Sequence, residues 1–117
     1  LSENKHYEYP QNLFEIGRYF ENDQEFQDLG LVLCHEKVTF TDGKQILDSL
    51  MNYLKLDYTM EEFETPLCIE GRCGIAKVNG KTIAYIGEIN PEVLTNFNLT
   101  TPVTAIEIKL EQLFKVM

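Results

Sequence analysis

The stretch IAKVNGKTIAYIGEI, residues 75–89, decides the fold class of this chain. Asn79 and Gly80 stand between two runs rich in apolar and β-branched residues. An Asn-Gly pair readily adopts the two positive φ angles that a two-residue hairpin turn requires. We therefore predict two antiparallel strands joined by a tight turn at this pair.

A short helix and a last strand are predicted to follow this hairpin. The run Asn-Pro-Glu at residues 90–92 offers a capping side chain, a proline suited to the first helical position and an acid near the positive end of the helix dipole. This helix should end near Phe97. Residues 102–110 then place apolar side chains on one face of a strand, and residues 111–117 are predicted to form a helical turn.

Two strands are also predicted near the start of the chain. The apolar residues of LFEIGRYF, residues 13–20, fall on one face of the first strand: Phe14, Ile16 and Phe20. The polar residues 21–28 are expected to form a connection. Residues 29–34 are apolar at almost every position, which is typical of a central strand covered on both faces.

An amphipathic helix is predicted in the middle of the chain. Asp42 can cap it, Gln45 follows three residues later, and apolar residues then recur at helical spacing: Ile46, Leu47, Leu50, Met51 and Leu54. Such a face most simply packs on a sheet. Residues 57–64 should form another strand that ends before Pro66.

The predicted order is strand, strand, helix, strand, hairpin, helix, strand. This order is typical of the α+β class, with a mainly antiparallel sheet and flanking helices on one side. No repeat, linker or low-complexity tract interrupts the 117 residues, so residues 1–117 are predicted to form a single domain. Because the first residue is Leu1, we expect the chain to be a fragment of a longer protein.

The charge of the chain argues against a general role in binding nucleic acid. The 19 acidic and 10 basic side chains give a net charge of −9, and a phosphate backbone is repelled by such a surface. The basic residues are scattered, so we expect a protein partner and neither DNA nor a membrane. The sequence has no apolar run long enough to cross a bilayer and no signal peptide, which favours a cytoplasmic protein.

The cysteines and histidines do not predict a reactive site. Cys34, Cys68 and Cys73 are an odd number without a CxxC pair, which fits neither a disulfide framework nor a zinc site. Buried free thiols are predicted instead. Cys34 and His35 are neighbours that would point to opposite faces of a strand, and His6 and His35 lack metal-ligand spacing. No catalytic residue and no metal ligand is assigned.

Three blocks of the sequence carry a family resemblance. They are Tyr9-Pro10 with LFEIGR at residues 13–18, then Gly71-Arg72-Cys73-Gly74, and finally IGEINPEVL at residues 86–94 with Phe97, Pro102, Val103 and Glu107 downstream. In order and spacing they resemble the beta subunit of phenylalanyl-tRNA synthetase. The opening Asn-Lys-His at residues 4–6 is more similar to archaeal and eukaryotic members than to bacterial ones.

The resemblance implies a fold, a complex and a role. The equivalent segment in that family is a C-terminal, class II synthetase-like part of the beta subunit that has lost its active-site residues. It implies a heterotetramer of alpha and beta subunits that charges tRNA(Phe) with phenylalanine, using ATP and magnesium, with catalysis in the alpha subunit. Other parts of the complex would contact the tRNA, and no cofactor is expected in this segment. The chain departs from the family at Glu70, where proline is usual.

The resemblance gives the family-motif residues structural roles. They are Glu15, Gly17, Arg18, Gly71, Arg72, Gly87, Glu88 and Pro91. Because Glu15 and Glu88 interrupt apolar strands and a buried carboxylate needs a partner, we predict pairing with Arg18 or Arg72. Gly17 and Gly87 are expected to mark a bulge or a close backbone approach.

Three functions are compatible with the sequence. The first is a scaffold domain that docks on the alpha subunit through aromatic anchors, the candidates being Tyr7, Tyr9, Tyr19 and Phe20. The second is an active ligase, although Arg18 and Arg72 are the only arginines and the arginine signatures of class II enzymes are missing. The third is a stand-alone regulatory paralogue that binds phenylalanine or a similar amino acid.

Overall fold

The computed structural model describes residues 11–34 and 37–117. The strands in this part of the chain are β1 (Gln11–Glu21), β2 (Gln24–Cys34), β3 (Thr59–Glu62), β4 (Cys68–Val78), β5 (Lys81–Ile89) and β6 (Val103–Lys109). The helices are α1 (Phe40–Leu54), α2 (Pro91–Asn96) and α3 (Leu110–Val116). None of these helices is long and apolar enough to cross a membrane.

All six strands belong to one sheet. Their order is β1-β2-β6-β5-β4-β3, and every neighbouring pair is antiparallel. This arrangement confirms the predicted α+β class with an antiparallel sheet. The last strand, β6, lies between β2 and β5 and so joins the first hairpin of the chain to the rest of the sheet.

Two tight turns connect neighbouring strands. Asn79 and Gly80 have φ angles of 53° and 79° and join β4 to β5, as predicted. Asn22 and Asp23, with φ angles of 51° and 64°, form a second hairpin turn between β1 and β2. The prediction that residues 21–28 form a connection was therefore wrong, because backbone pairing in this outer hairpin does not require apolar side chains.

The first helix is capped by a different residue from the predicted one. The carboxylate of Asp42 accepts a hydrogen bond from the backbone N–H of Thr39 at 2.8 Å, so Thr39 is the capping residue and Asp42 lies in the first turn. The buried face of α1 contains Gly43, Leu47 and Met51. Ile46, predicted to be part of this face, is 39% exposed.

The remaining elements follow the predictions closely. The side chain of Asn90 accepts a hydrogen bond from the backbone N–H of Glu92 at 3.0 Å, and Pro91 is the first residue of α2. The strand predicted for residues 57–64 is shorter, because β3 covers only Thr59–Glu62. The predicted closing turn is α3.

Two apolar clusters lie on opposite faces of the sheet. The larger one joins α1 and α3 to the strands, with Leu47, Met51, Leu113, Ile106 and Ile108 among its members. The smaller one joins Leu94 of α2 to Cys34 and Val103. Because side chains alternate between faces along a strand, Val103 and Ile106 point in opposite directions. The prediction of helices on one side was therefore wrong for α2, which packs on the other face.

Candidate functional site on the open face of the sheet

The face of the sheet opposite α1 and α3, here called the open face, carries a groove of about 850 Å³. Residues with a small side chain or none contribute to its floor: Gly17, Gly30, Gly87 and Ala105. The register places Ala105 directly opposite Gly87 and pairs Gly30 with Glu15 and Glu107. The groove exists because these small residues leave the sheet surface recessed.

The two glycines singled out in the sequence differ in what surrounds them. We predicted a bulge or a close backbone approach at Gly87; the group that approaches is a side chain, since a Cβ atom there would lie 2.5 Å from the sulfur of Cys68. A Cβ atom on Gly17 would meet no described atom within 4 Å, so the same prediction was wrong for Gly17. Gly71 has a φ of 77°, which favours glycine at that position.

The segment between β3 and β4 forms one wall of the groove. The ring of Phe63 lies 5.5 Å from that of Tyr85 in a tilted arrangement. The backbone N–H of Phe63 donates to the carbonyl of Cys73 at 3.0 Å, and the backbone N–H of Asn90 donates to the carbonyl of Leu67 at 2.8 Å. This wall is therefore tied to the sheet at both of its ends.

Three charged side chains meet on the open face. The Nζ atom of Lys109 lies 3.2 Å from Asp28 Oδ2 and 2.9 Å from Glu107 Oε1. Burial acts to lower the pKa of Lys109, but hydrogen bonds to both carboxylates outweigh it and raise that pKa. Burial raises the pKa of Asp28, and the hydrogen bond from Lys109 offsets this only in part. Asp28 Oδ1 is buried without a hydrogen-bond partner among the described residues.

Neither Asp28 nor Lys109 was among the functional residues predicted from the sequence. The two residues are 81 positions apart in the chain and meet only through the pairing of β2 with β6. The signal available in the sequence was a charged residue beside each apolar run: Asp28 directly precedes residues 29–34, and Lys109 lies near the end of residues 102–110. That signal became informative only once the strand order was known.

Both arginines of the chain are paired with carboxylates. Arg72 Nη1 lies 3.3 Å from Glu88 Oε1, and Glu88 is only 8% exposed, so the ion pair expected for Glu88 is present. Arg18 Nε lies 3.4 Å from Glu25 Oε1. The expected pairing of Glu15 with an arginine was wrong, because Glu15 and Arg18 point to opposite faces of β1 and Glu15 is exposed.

The three cysteines carry thiols rather than disulfides, as predicted, and the predicted burial holds for two of them. Cys34 and Cys73 are buried, whereas Cys68 is partly exposed. Among the described residues, no group of three or more His, Cys, Asp or Glu side chains could hold a metal ion.

A row of apolar side chains on β1 remains exposed on the helix face, the side of the sheet that carries α1 and α3. Phe14, Ile16 and Phe20 are 76%, 62% and 75% exposed, and we call these three residues the β1 row. They share a face, as predicted, but β1 lies at the outer edge of the sheet. The other candidate anchors lie outside what the structure describes: Tyr7, Tyr9 and the side chain of Tyr19.

Comparison with known proteins places this chain in a family. The model of the phenylalanyl tRNA synthetase beta chain CLM domain matches residues 1–110. The chain belongs to this family. The CLM-domain assignment confirms the resemblance to phenylalanyl-tRNA synthetase beta subunits that the three sequence blocks suggested.

Curated relatives of this CLM-domain chain include archaeal phenylalanine–tRNA ligase beta subunits. That of Thermococcus kodakarensis is 44% identical over 121 aligned residues, which cover 97% of this chain and 21% of the relative. The Pyrococcus abyssi protein is 43% identical over an alignment of 122 positions, which covers 98% of this chain and 22% of the relative. The Methanosarcina acetivorans protein is 38% identical over 113 residues, with coverage of 97% and 21%. The chain thus spans about a fifth of the length of these relatives.

Proposed function

We propose that this chain is a non-catalytic docking domain of a phenylalanine–tRNA ligase beta subunit. It holds the alpha subunit in place while that subunit charges tRNA(Phe) with phenylalanine in an ATP-dependent reaction. Membership in the CLM-domain family supports the enzyme assignment. The exposed β1 row is the observation that carries the docking role.

The β1 row has the properties of a surface that another protein covers. Exposed apolar residues gathered on one face mark interaction sites more often than scattered ones do, and this face also carries Arg18 between Ile16 and Phe20. β1 is also an edge strand of 11 residues, and no described strand pairs with its outer side. A long apolar edge strand left open invites uncontrolled pairing with other chains, so proteins usually protect it. Docking of the alpha subunit would provide that protection.

The arrangement of charges supports the proposal that this domain does not catalyse the reaction. Amino-acid activation builds negative charge on phosphate groups, which active sites stabilise with positive groups directed at them. Here Arg18, Arg72 and Lys109 each lie against a carboxylate of the same chain. These three cations could stabilise a substrate phosphate only by leaving their carboxylate partners.

The other components of the reaction are assigned to other parts of the complex. A net charge of −9 repels both ATP and tRNA on average, so we propose that ATP, magnesium and tRNA(Phe) are bound elsewhere in the enzyme. We also propose a class II synthetase-like fold, to which the antiparallel sheet with flanking helices lends support. The cytoplasm, where tRNA is charged, is the proposed location.

Substitution of the β1 row tests the docking role. Phe14→Ser, Ile16→Thr and Phe20→Ser are introduced together into the full-length beta subunit, and its binding to the alpha subunit is measured by calorimetry and mass photometry. Because central apolar anchors each contribute about 1–2 kcal/mol or more, we expect the dissociation constant to rise at least about tenfold.

The control carries Tyr53→Ser and Phe114→Ser, which remove exposed aromatic rings from α1 and α3. This control should bind the alpha subunit as the unmodified protein does. Unchanged affinity of the β1 variant, with its fold verified by circular dichroism, would rule out the row as the docking surface. Equal weakening in both variants would mean that the effect is not specific to β1.

A second candidate function is binding of an amino acid in the groove. The observation in its favour is the acidic cluster, because Asp28 and Glu107 could accept hydrogen bonds from an ammonium group. Titration of phenylalanine into the beta subunit alone, followed by calorimetry, distinguishes the two functions. Binding that is lost in Asp28→Asn would support the regulatory role.

A further inference from the structure

Cys68 and Cys73 are brought side by side by an irregularity in β4. Cys68 lies opposite Ile89 and Cys73 lies opposite Gly87, with a register shift between the two positions. The two cysteines are five residues apart in the chain, yet their partners on β5 are only two apart. Residues 69–72 are therefore a bulge, and the two cysteines occupy neighbouring positions on the same face of the sheet.

This spacing is compatible with a disulfide bond. Positions two apart on a strand are separated by about 6.6–6.8 Å between Cα atoms, since each residue advances by about 3.3–3.4 Å. Disulfides bridge Cα atoms about 4.4–6.8 Å apart. Because each cysteine lies opposite one of two β5 residues that are two positions apart, we infer a Cα separation near the upper end of this range.

The sulfur atoms of Cys68 and Cys73 both lie directly above Gly87. A Cβ atom on Gly87 would lie 2.5 Å from the sulfur of Cys68 and 3.0 Å from that of Cys73, and because these distances add to 5.5 Å the sulfurs are no further apart than that. Burial, followed by a hydrogen bond to the Cys68 sulfur, raises the pKa of the Cys73 thiol to about 12. Both sulfurs can occupy this position because Gly87 has no side chain.

We propose that Cys68 and Cys73 are a redox modification site, which forms a reversible intrachain disulfide over Gly87 when the protein meets a small disulfide oxidant such as oxidised glutathione. The proposal is independent of the docking role and concerns only β4 and β5. Cys68 contributes to the lining of the groove, so the bond would form at its surface.

The chemistry follows thiol–disulfide exchange. Cys68 is the more exposed of the two, so its thiolate attacks one sulfur of the oxidant, which releases one thiolate that takes up a proton. Cys73 then loses its proton and attacks the sulfur of Cys68, which releases the second thiol of the oxidant. Two protein thiols are oxidised to one disulfide, and the oxidant disulfide is reduced to two thiols.

The bond would restrain the bulge between the two cysteines. The resulting ring would contain Gly71 and Arg72. Gly71 has a φ of 77°, and the guanidinium of Arg72 contacts Glu88. Oxidation should therefore hold the Arg72–Glu88 ion pair and this part of the groove wall more rigidly than the reduced state does.

Peptide mapping tests the proposal on the full-length beta subunit in complex with the alpha subunit. The complex is equilibrated with oxidised and reduced glutathione, the remaining thiols are alkylated, and trypsin is added. Trypsin cleaves after Lys55, Arg72 and Lys77, so Cys68 and Cys73 fall on separate peptides, residues 56–72 and 73–77. We expect these peptides to be joined by a disulfide in the oxidised sample and separated again by dithiothreitol.

Three variants make the result specific. Cys34→Ser should leave the linked peptides unchanged, because Cys34 lies in the apolar cluster around α2. Cys68→Ser should abolish them. Gly87→Ala should lower the fraction of linked peptides at a given glutathione ratio, with an equilibrium constant reduced at least about tenfold, because its Cβ would occupy the space of both sulfurs.

Two outcomes would overturn the proposal. One is a persistent mixed disulfide between glutathione and Cys68, with Cys73 recovered in its alkylated form because it was still a thiol. The other is two alkylated cysteines under conditions in which other surface thiols of the complex are oxidised. Either result, obtained on the unmodified folded complex, would mean that the sulfurs do not reach each other.

Discussion

At the level of the single residue, Lys109 neutralises two carboxylates that share the open face. Asp28 and Lys109 are only 15% and 23% exposed at their side chains. With Lys109→Met, Asp28 and Glu107 would face each other without a cation. We expect the free energy of unfolding at pH 7 to fall by about 2 kcal/mol, less than for a fully buried pair that loses one partner. Urea denaturation of the chain measures it, with Lys81→Met, at an exposed position, as the control.

The loss of stability in the Lys109→Met variant should depend on pH. Burial already raises the pKa of Asp28 above its ordinary value of 3.8, and removal of Lys109 takes away the hydrogen bond that opposes this. A carboxyl group with a raised pKa in the folded state contributes stability at low pH and loses that contribution as the pH rises through the folded-state pKa. The deficit of the Lys109→Met variant should therefore shrink as the pH falls towards 3.8. A deficit that stays constant would show that the carboxylates are not its cause.

Arg18 distinguishes a structural role from a catalytic one. In the complete enzyme, Arg18→Gln should change kcat for aminoacylation by less than about twofold, because Arg18 is exposed and paired with Glu25. Removal of a group that stabilises charge in the transition state usually lowers kcat by about 10²–10³-fold. A loss of that size, with substrate binding and assembly intact, would mean that the domain takes part in the reaction.

Some side-chain contacts could be predicted from the sequence and others could not. The pairing of Glu88 with an arginine followed from its position in an apolar strand, since a buried carboxylate needs a partner. The contact of Cys68 with Cys73 did not follow, because it depends on a bulge of four residues between them. Periodicity assumes a regular strand, and a bulge breaks that assumption.

At the level of the element, Gly43 sets how closely α1 approaches the sheet. A Cβ atom at this position would lie 2.8 Å from Ile86 Cδ1 and 2.8 Å from Thr104 Cγ2. Gly43→Ala should therefore lower the free energy of unfolding by about 1–3 kcal/mol through overpacking, although alanine favours a helix. Gly17→Ala, with space around it, is the matched control in the same urea experiment. Stabilisation of the Gly43 variant would mean that α1 can shift away from the sheet at little cost.

Turn chemistry explains which hairpins were predictable. Asn79-Gly80 carries the strongest short signal for a tight turn, and the structure has that turn. Asn22-Asp23 makes the same kind of turn without glycine, and polar residues follow it directly. Its signal was hidden in a run that looked like a loop, so the start of β2 was missed.

At the level of the whole molecule, strand order was beyond the reach of local patterns. The insertion of β6 between β2 and β5 depends on contacts between residues far apart in the chain. The same insertion creates the charged cluster on the open face and leaves β1 at the outer edge. The class of the fold was therefore predictable, whereas the groove and the exposed row were not.

The position of β1 at the edge leads to the most direct test of the docking proposal. Hydrogen–deuterium exchange is measured on the full-length beta subunit, alone and with the alpha subunit bound. We expect slower exchange of the amides of β1, Gln11–Glu21, in the complex, and little change in the exposed turn at Asn79 and Gly80. Unchanged exchange in β1, with protection confined to other parts of this domain, would contradict docking of the alpha subunit on β1.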